Sequence, residues 1–229
     1  MSWRDYWNTD HPIYVNARHR QLHYDALARD IAAYVPGADA VALDYGCGEA
    51  EEARVVAQRC AQLLLFDTAP NVRASVARRF ADEPKIRVLD DAALDDLATE
   101  SLDLVICVSV LQYLTLGECA ETLDLWRDKL KAGARLVVGD VVPPDLSPLG
   151  DAQALLAFAA RGGFLVAAGL GLARAFFSDY RRLRGELGLT TYAERDFLNL
   201  LDAHGFRGER VARNIGHNQR RMTFLATRL

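Results

Sequence analysis

Four carboxylates close apolar runs in this chain: Asp44, Asp67, Asp91 and Asp140. An acid in such a place can accept hydrogen bonds from ligand hydroxyl or amino groups. Asp44 leads into a glycine turn, Tyr45-Gly46-Cys47-Gly48-Glu49-Ala50. Glycine is needed where a turn forces positive φ, or where a ligand must approach the backbone with no Cβ in the way. Gly46 and Gly48 therefore suggest a nucleotide-like cofactor over the turn. A dinucleotide fingerprint wants glycines at i, i+2 and i+5, but the third position here is Glu51, an acid placed where a pyrophosphate would sit. That weighs against an NAD-type cofactor. Proton transfer would fall to a histidine, which titrates near neutrality, and His19, His23 and His217 are the candidates, with Asp140 as the alternative base or as the group that orients the imidazole.

The elements that position these residues follow from periodicity. Val41 to Leu43 reads as a strand, the turn enters a helix over Glu51 to Gln58, and Leu63 to Phe66 is a second buried strand ending at Asp67. A helix over Pro70 to Phe80 leads to a third strand ending at Asp90-Asp91-Ala92. A fourth strand covers Leu104 to Val110, a helix spans Glu121 to Lys131, and a fifth strand runs from Ala134 to Val142 after the stop Ala132-Gly133. Strands alternating with helices mean a parallel sheet with helices on both faces and a ligand crevice at the carboxyl ends of the strands. Gly46, Asp67, Asp91, Ser109 and Asp140 all lie at such ends. Before this core, apolar positions Leu22, Leu27, Ile31 and Tyr34 indicate one helix stopped by Pro36-Gly37. After it, Thr191-Tyr192-Ala193-Glu194 reads as a capping box opening a helix to Ala203. Two last strands, Gly208 to Ile215 and Arg221 to Thr227, make an antiparallel hairpin with His217 in its turn.

Asp44, Gly46 and Gly48, with Ala50 in place of a third glycine, resemble the first motif of the class I S-adenosylmethionine-dependent methyltransferases. Leu102-Asp103-Leu104-Val105 followed by Val110-Leu111-Gln112-Tyr113-Leu114 is similar to that family's fourth strand and the turn after it. The resemblance implies S-adenosyl-L-methionine as cofactor and a Rossmann-like doubly wound α/β sheet, mostly parallel, with an antiparallel last strand. It implies that Asp44, Gly46, Cys47 and Gly48 carry the methionine part, that Asp67 beside Thr68 binds the ribose hydroxyls, that Asp91 before Ala92 accepts from the adenine amino group, and that Val108 also lines the cofactor. Asp67 also reads as a helix N-cap before Pro70. On the N-terminal helix, Arg18 and Tyr14 are expected at the methionine carboxylate and sulfonium, Arg18 because a guanidinium grips a carboxylate bidentately. His217 is the expected general base if the acceptor is a protic oxygen or nitrogen.

The 229 residues suit one domain: a cap over 1–36, a cofactor-binding core over 37–142, a helical lid insertion over 143–189 and a C-terminal helix and strand hairpin over 190–229. The expected reaction is methyl transfer to a small-molecule acceptor. The alternatives are a non-catalytic cofactor-binding or assembly module of the same fold, or a methyltransferase acting on a lipid at a membrane surface. A formal net charge of −4 gives no reason to expect nucleic acid as partner. Four scattered cysteines and an N-terminus without an apolar signal core point to a reduced, cytoplasmic setting, and no side-chain cluster has metal-ligand spacing. The apolar stretch between Arg161 and Arg174 is shorter than the roughly 20 residues a membrane span needs. It reads as a lid, or else as an interfacial helix touching lipid.

Overall fold

The computed structural model describes residues 2–9, 14–175 and 188–229. Seven strands form one sheet: β1 (Val41–Tyr45), β2 (Gln62–Phe66), β3 (Ile86–Leu89), β4 (Leu102–Val108), β5 (Leu130–Val141), β6 (Phe206–Val211) and β7 (Met222–Arg228). Their order is β3-β2-β1-β4-β5-β7-β6. The pairs β1–β2, β2–β3, β1–β4 and β4–β5 are parallel, whereas β7 is antiparallel to both β5 and β6. β6 therefore runs in the same sense as the first five strands, and the β6–β7 turn reaches the carboxyl edge of the sheet. The strand order reverses between β1 and β4, which makes the ends of those two strands the crevice of the fold.

Helices cover both faces. In chain order they are α1 (Trp3–Trp7), α2 (Ala17–Ala32), α3 (Ala53–Ala57), α4 (Pro70–Arg79), α5 (Asp91–Asp95), α6 (Leu116–Lys129), α7 (Pro148–Gly162), α8 (Leu165–Ala175) and, beyond the undescribed segment, α9 (Glu194–Ala203). One core layer packs Trp126, Phe197, Phe206 and Phe224 against the β4–β5–β7 half of the sheet. The other packs Ala28, Ile31, Val56 and Val76 against Leu63, Leu65 and Ile106.

Several boundaries differ from expectation for local physical reasons. α6 starts at Leu116 instead of Glu121, because Thr115 caps it and Glu118 bonds back to the Thr115 amide at 2.8 Å. The expected box at Thr191–Glu194 does not form: α9 starts at Glu194 with Ala193 as N-cap and no side-chain cap bond. Tyr192 is buried there, its amide donating to the Val142 carbonyl at 2.9 Å and its ring lying 5.1 Å from Phe197, so tertiary packing sets where the helix begins. Ala132-Gly133 falls inside β5, since α6 ends at Lys129 and Gly133 bends the strand with φ +75°. α1 was not foreseen in the first residues. Ser2 and Asp5 form its capping box, and Trp3 and Trp7 pack on Tyr113 at 4.7 and 5.2 Å.

Candidate functional site

The turn after β1 is built by backbone bonds that leave it little freedom. Gly46 and Gly48 have φ of +79° and +54°, and Ala50, in the third-glycine position, also has a positive φ of 45°. A Cβ on Gly46 would lie 2.3 Å from Val110 Cγ2, so β1 and the segment after β4 meet only because residue 46 has no side chain. The amides of Gly46 and Cys47 both donate to the Phe66 carbonyl, at 2.7 and 3.0 Å. The Gly48 amide donates to Asp67 Oδ2 at 3.0 Å. The amides of Gly46, Cys47 and Gly48 are thus committed within the protein.

Asp67 holds two elements together. Its Oδ1 accepts from the Ala69 amide at 2.9 Å while Oδ2 takes Gly48, and α4 is capped by Ala69, so Asp67 is not the helix N-cap. A carboxylate has about four lone-pair sites, which leaves Asp67 capacity for two further donors. Asp44 sits nearby at the end of β1. Burial, reinforced by the charge of Asp67, raises its pKa from 3.8 to about 7, and burial also raises that of Asp67 against the two amide bonds and Arg73. Two poorly solvated carboxyl groups at one crevice favour a positively charged ligand. Cys47 is buried, its thiol pKa pushed up by burial and by the neighbouring acids.

The remaining expected residues are placed unevenly. Thr68 is half-buried beside Asp67, and Val108 is half-buried at the end of β4, opposite Gly139. Asp91 and Ala92 are exposed in the first turn of α5, with Asp91 paired to Arg73 at 3.0 Å. Tyr14 lies among His19, His23 and Tyr24, with ring centroids 5.4, 5.5 and 5.7 Å away, and burial raises its pKa to about 12. Arg18 is not brought to the turn: it is exposed, and its Nε donates to the Gly162 carbonyl of α7 at 3.4 Å. The arginine that faces the turn is Arg20, which pairs with Glu51 and lies 3.9 Å from Glu49. A signal for it exists in the sequence. Tyr24, Ala28 and Ile31 form the buried stripe of α2, and stepping back four residues from Tyr24 gives Arg20.

His217 lies in the β6–β7 turn as expected, and joins His19 and His23, whose rings are 6.4 and 6.5 Å away. His217 stacks on Phe158 of α7 at 5.1 Å, and His19 on Phe164 at 5.0 Å. Burial lowers all three imidazole pKa values, to about 4 for His19 and His23, so these rings are neutral at pH 7. Among the described residues no three His, Cys, Asp or Glu are grouped as a metal ion would require. Asp140 does not orient any of these rings by a direct bond. Its Oδ2 accepts from Ser109 Oγ at 2.7 Å and Arg221 Nη1 at 2.6 Å, and its Oδ1 from Asn214 Nδ2 at 3.2 Å. Arg221 also reaches Asp151 of α7 at 3.1 Å, and Asn218 donates to the same oxygen at 2.8 Å. This network, invisible to local sequence patterns, fastens α7 to the β6–β7 turn. A separate cleft of about 440 Å³, lined by Arg29, Val35, Val55 and Arg59, contains none of these groups.

Residues 43–138 match a family profile described as a methyltransferase domain. The matched span runs from within β1 to within β5. Solved structures share the fold of this chain. It is similar to the YcgJ protein of Bacillus subtilis, with 13% identity, TM-score 0.58, and 82% of this chain and 71% of that one covered. It is similar to the N-methyltransferase NodS of Bradyrhizobium japonicum WM9, solved with S-adenosyl-L-homocysteine, with 19% identity, TM-score 0.58, and 98% and 95% covered. A third is phosphoethanolamine N-methyltransferase 1 of Haemonchus contortus, solved with phosphoethanolamine and S-adenosylhomocysteine, with 14% identity and TM-score 0.64. That match covers 99% of this chain but 47% of the other, so the chain spans about half its length. No curated protein sequence matches the chain.

Proposed function

We propose that this chain transfers a methyl group from S-adenosylmethionine to a small-molecule acceptor. The observation that carries the reading is the glycine turn, whose amides at Gly46, Cys47 and Gly48 are already bonded within the protein, beside the carboxyls of Asp44 and Asp67. A pyrophosphate would find those three amides taken and two acids beside them. A cofactor that brings an ammonium and a sulfonium, with a ribose in place of a phosphate, fits both features. That cofactor supplies a methyl group already activated by its positive sulfur.

The chain's own residues then bind, orient and exclude water. Asp67 offers its spare lone pairs to ribose hydroxyls, Asp44 balances positive charge, and Arg20, one helical turn before Tyr24, is the better placed cation for a carboxylate than Arg18. Phe158 and Phe164 pack over His217 and His19, so that α7 and α8 act as a lid which keeps the acceptor side dry. His217, uncharged at pH 7, is the base for a protic acceptor. The protein incubated with methyl-labelled S-adenosylmethionine and a metabolite mixture should give a labelled product by mass spectrometry. Cofactor binding with no labelled product from any acceptor pool would mean that the fold serves binding alone.

A further inference from the structure

The α7–α8 hairpin has two apolar faces, and only one is covered. Its inner face packs Ala159, Phe164 and Ala168 against Val15, Leu22 and Phe158. A Cβ on Gly171 would lie 2.2 Å from Val15 Cγ1, so α8 sits tightly on that side. Its outer face shows Leu165 at 49%, Val166 at 80% and Leu170 at 57% exposure, with Leu149 of α7 at 67%. Val166, Leu170 and Arg174 are spaced four residues apart and form one stripe that ends in a cation. A helix apolar on all sides is ordinarily buried. Clustered exposed apolar side chains of this size mark an interaction surface.

Charge decides what covers it. From Ala152 to Ala175 the chain has Arg161 and Arg174, both exposed, and no acid, in a protein of net charge −4. A second copy docked face to face across a two-fold would oppose these arginines to each other. An anionic bilayer neutralises them while taking up the leucines and valine. No described helix is long and apolar enough to cross a membrane, so the contact would be interfacial.

We propose that the outer face of α7 and α8 docks on an anionic lipid surface. Docking in this orientation leaves the inner face of the hairpin, with Phe158 and Phe164, against His217 and His19.

The test is sedimentation of the full chain with vesicles of phosphatidylcholine containing phosphatidylserine, against phosphatidylcholine alone. Binding should favour the anionic vesicles and weaken with salt. Val166→Glu with Leu170→Glu, both at exposed positions, should reduce it at least about tenfold. Arg161→Gln with Arg174→Gln should cost about fivefold for each arginine on anionic vesicles only. S-adenosylhomocysteine affinity and thermal midpoint should stay unchanged in these variants, which separates a lost surface from a lost fold. Equal sedimentation of wild type and the double-Glu variant overturns the proposal. So does a concentration-dependent dimer in lipid-free sedimentation velocity that the double-Glu variant abolishes, which would assign the face to a second copy.

Discussion

Replacing Asp44 with Asn should stabilise the unliganded protein near pH 8 while weakening its cofactor. Asp44 has an ordinary carboxyl pKa of 3.8 when unfolded and about 7 in the fold, because burial and Asp67 both oppose its charge. The folded state therefore holds an extra proton between those values. The group contributes nothing below pH 3.8, becomes increasingly destabilising as pH rises, and reaches its full cost above about pH 7. At about 1.36 kcal/mol per pKa unit the limit is roughly 4 kcal/mol, and the solvent contact that Asp44 retains brings the expected gain for Asn to about 2 kcal/mol. For a domain of this size that is about 4–8 °C in thermal midpoint at pH 8, shrinking to nothing as pH falls toward 4. Differential scanning calorimetry of both proteins from pH 5 to 8 measures it. Isothermal titration in buffers of different ionisation enthalpy should show that wild type releases a proton on binding S-adenosylmethionine near pH 6–7, and that the variant does not. An Asn variant equal to or less stable than wild type at pH 8, with proton release intact, would refute the reasoning about the buried pair.

Three further outcomes are expected. Gly46→Ala puts a methyl against Val110 and an L-residue at φ +79°, and should cost about 2–4 kcal/mol in urea unfolding, with part restored by adding Val110→Ala. His217→Ala should leave S-adenosylhomocysteine affinity unchanged and lower turnover by about 10²–10⁴-fold on a protic acceptor; turnover within a factor of a few would make it a turn residue and move the search to His19 and His23. Amides of α7 and α8 should exchange more slowly with hydrogen isotope once cofactor is bound, and unchanged exchange there would remove the lid role.

The sheet and its crevice were legible because the inner parallel strands β2 and β4 write nearly continuous apolar runs, and because a strand's carboxyl end must carry a turn or a polar residue. Gly46, Asp67, Ser109 and Asp140 were found in that way, and they stand at the carboxyl ends of β1, β2, β4 and β5. What local pattern could not show was how helices turn relative to the sheet. Arg18 and Arg20 are equivalent by composition, and the buried stripe of α2 decides between them. The Thr115 box was readable as Thr-x-x-Glu, whereas the same spelling at Thr191 failed because Tyr192 was needed in the core. The salt bridge between Asp140 and Arg221 joins residues 81 apart in sequence, and it exists only once β7 has inserted beside β5. That bridge takes up Asp140, which the sequence left open as a base.

The most direct test of the central claim is calorimetric titration of the full chain with S-adenosylhomocysteine and, separately, with NADH. The glycine turn with its committed amides and paired carboxyls predicts binding of the first and none of the second, with Asp67→Asn weakening the first by about 1.5–3 kcal/mol. Binding of NADH without S-adenosylhomocysteine would contradict the account.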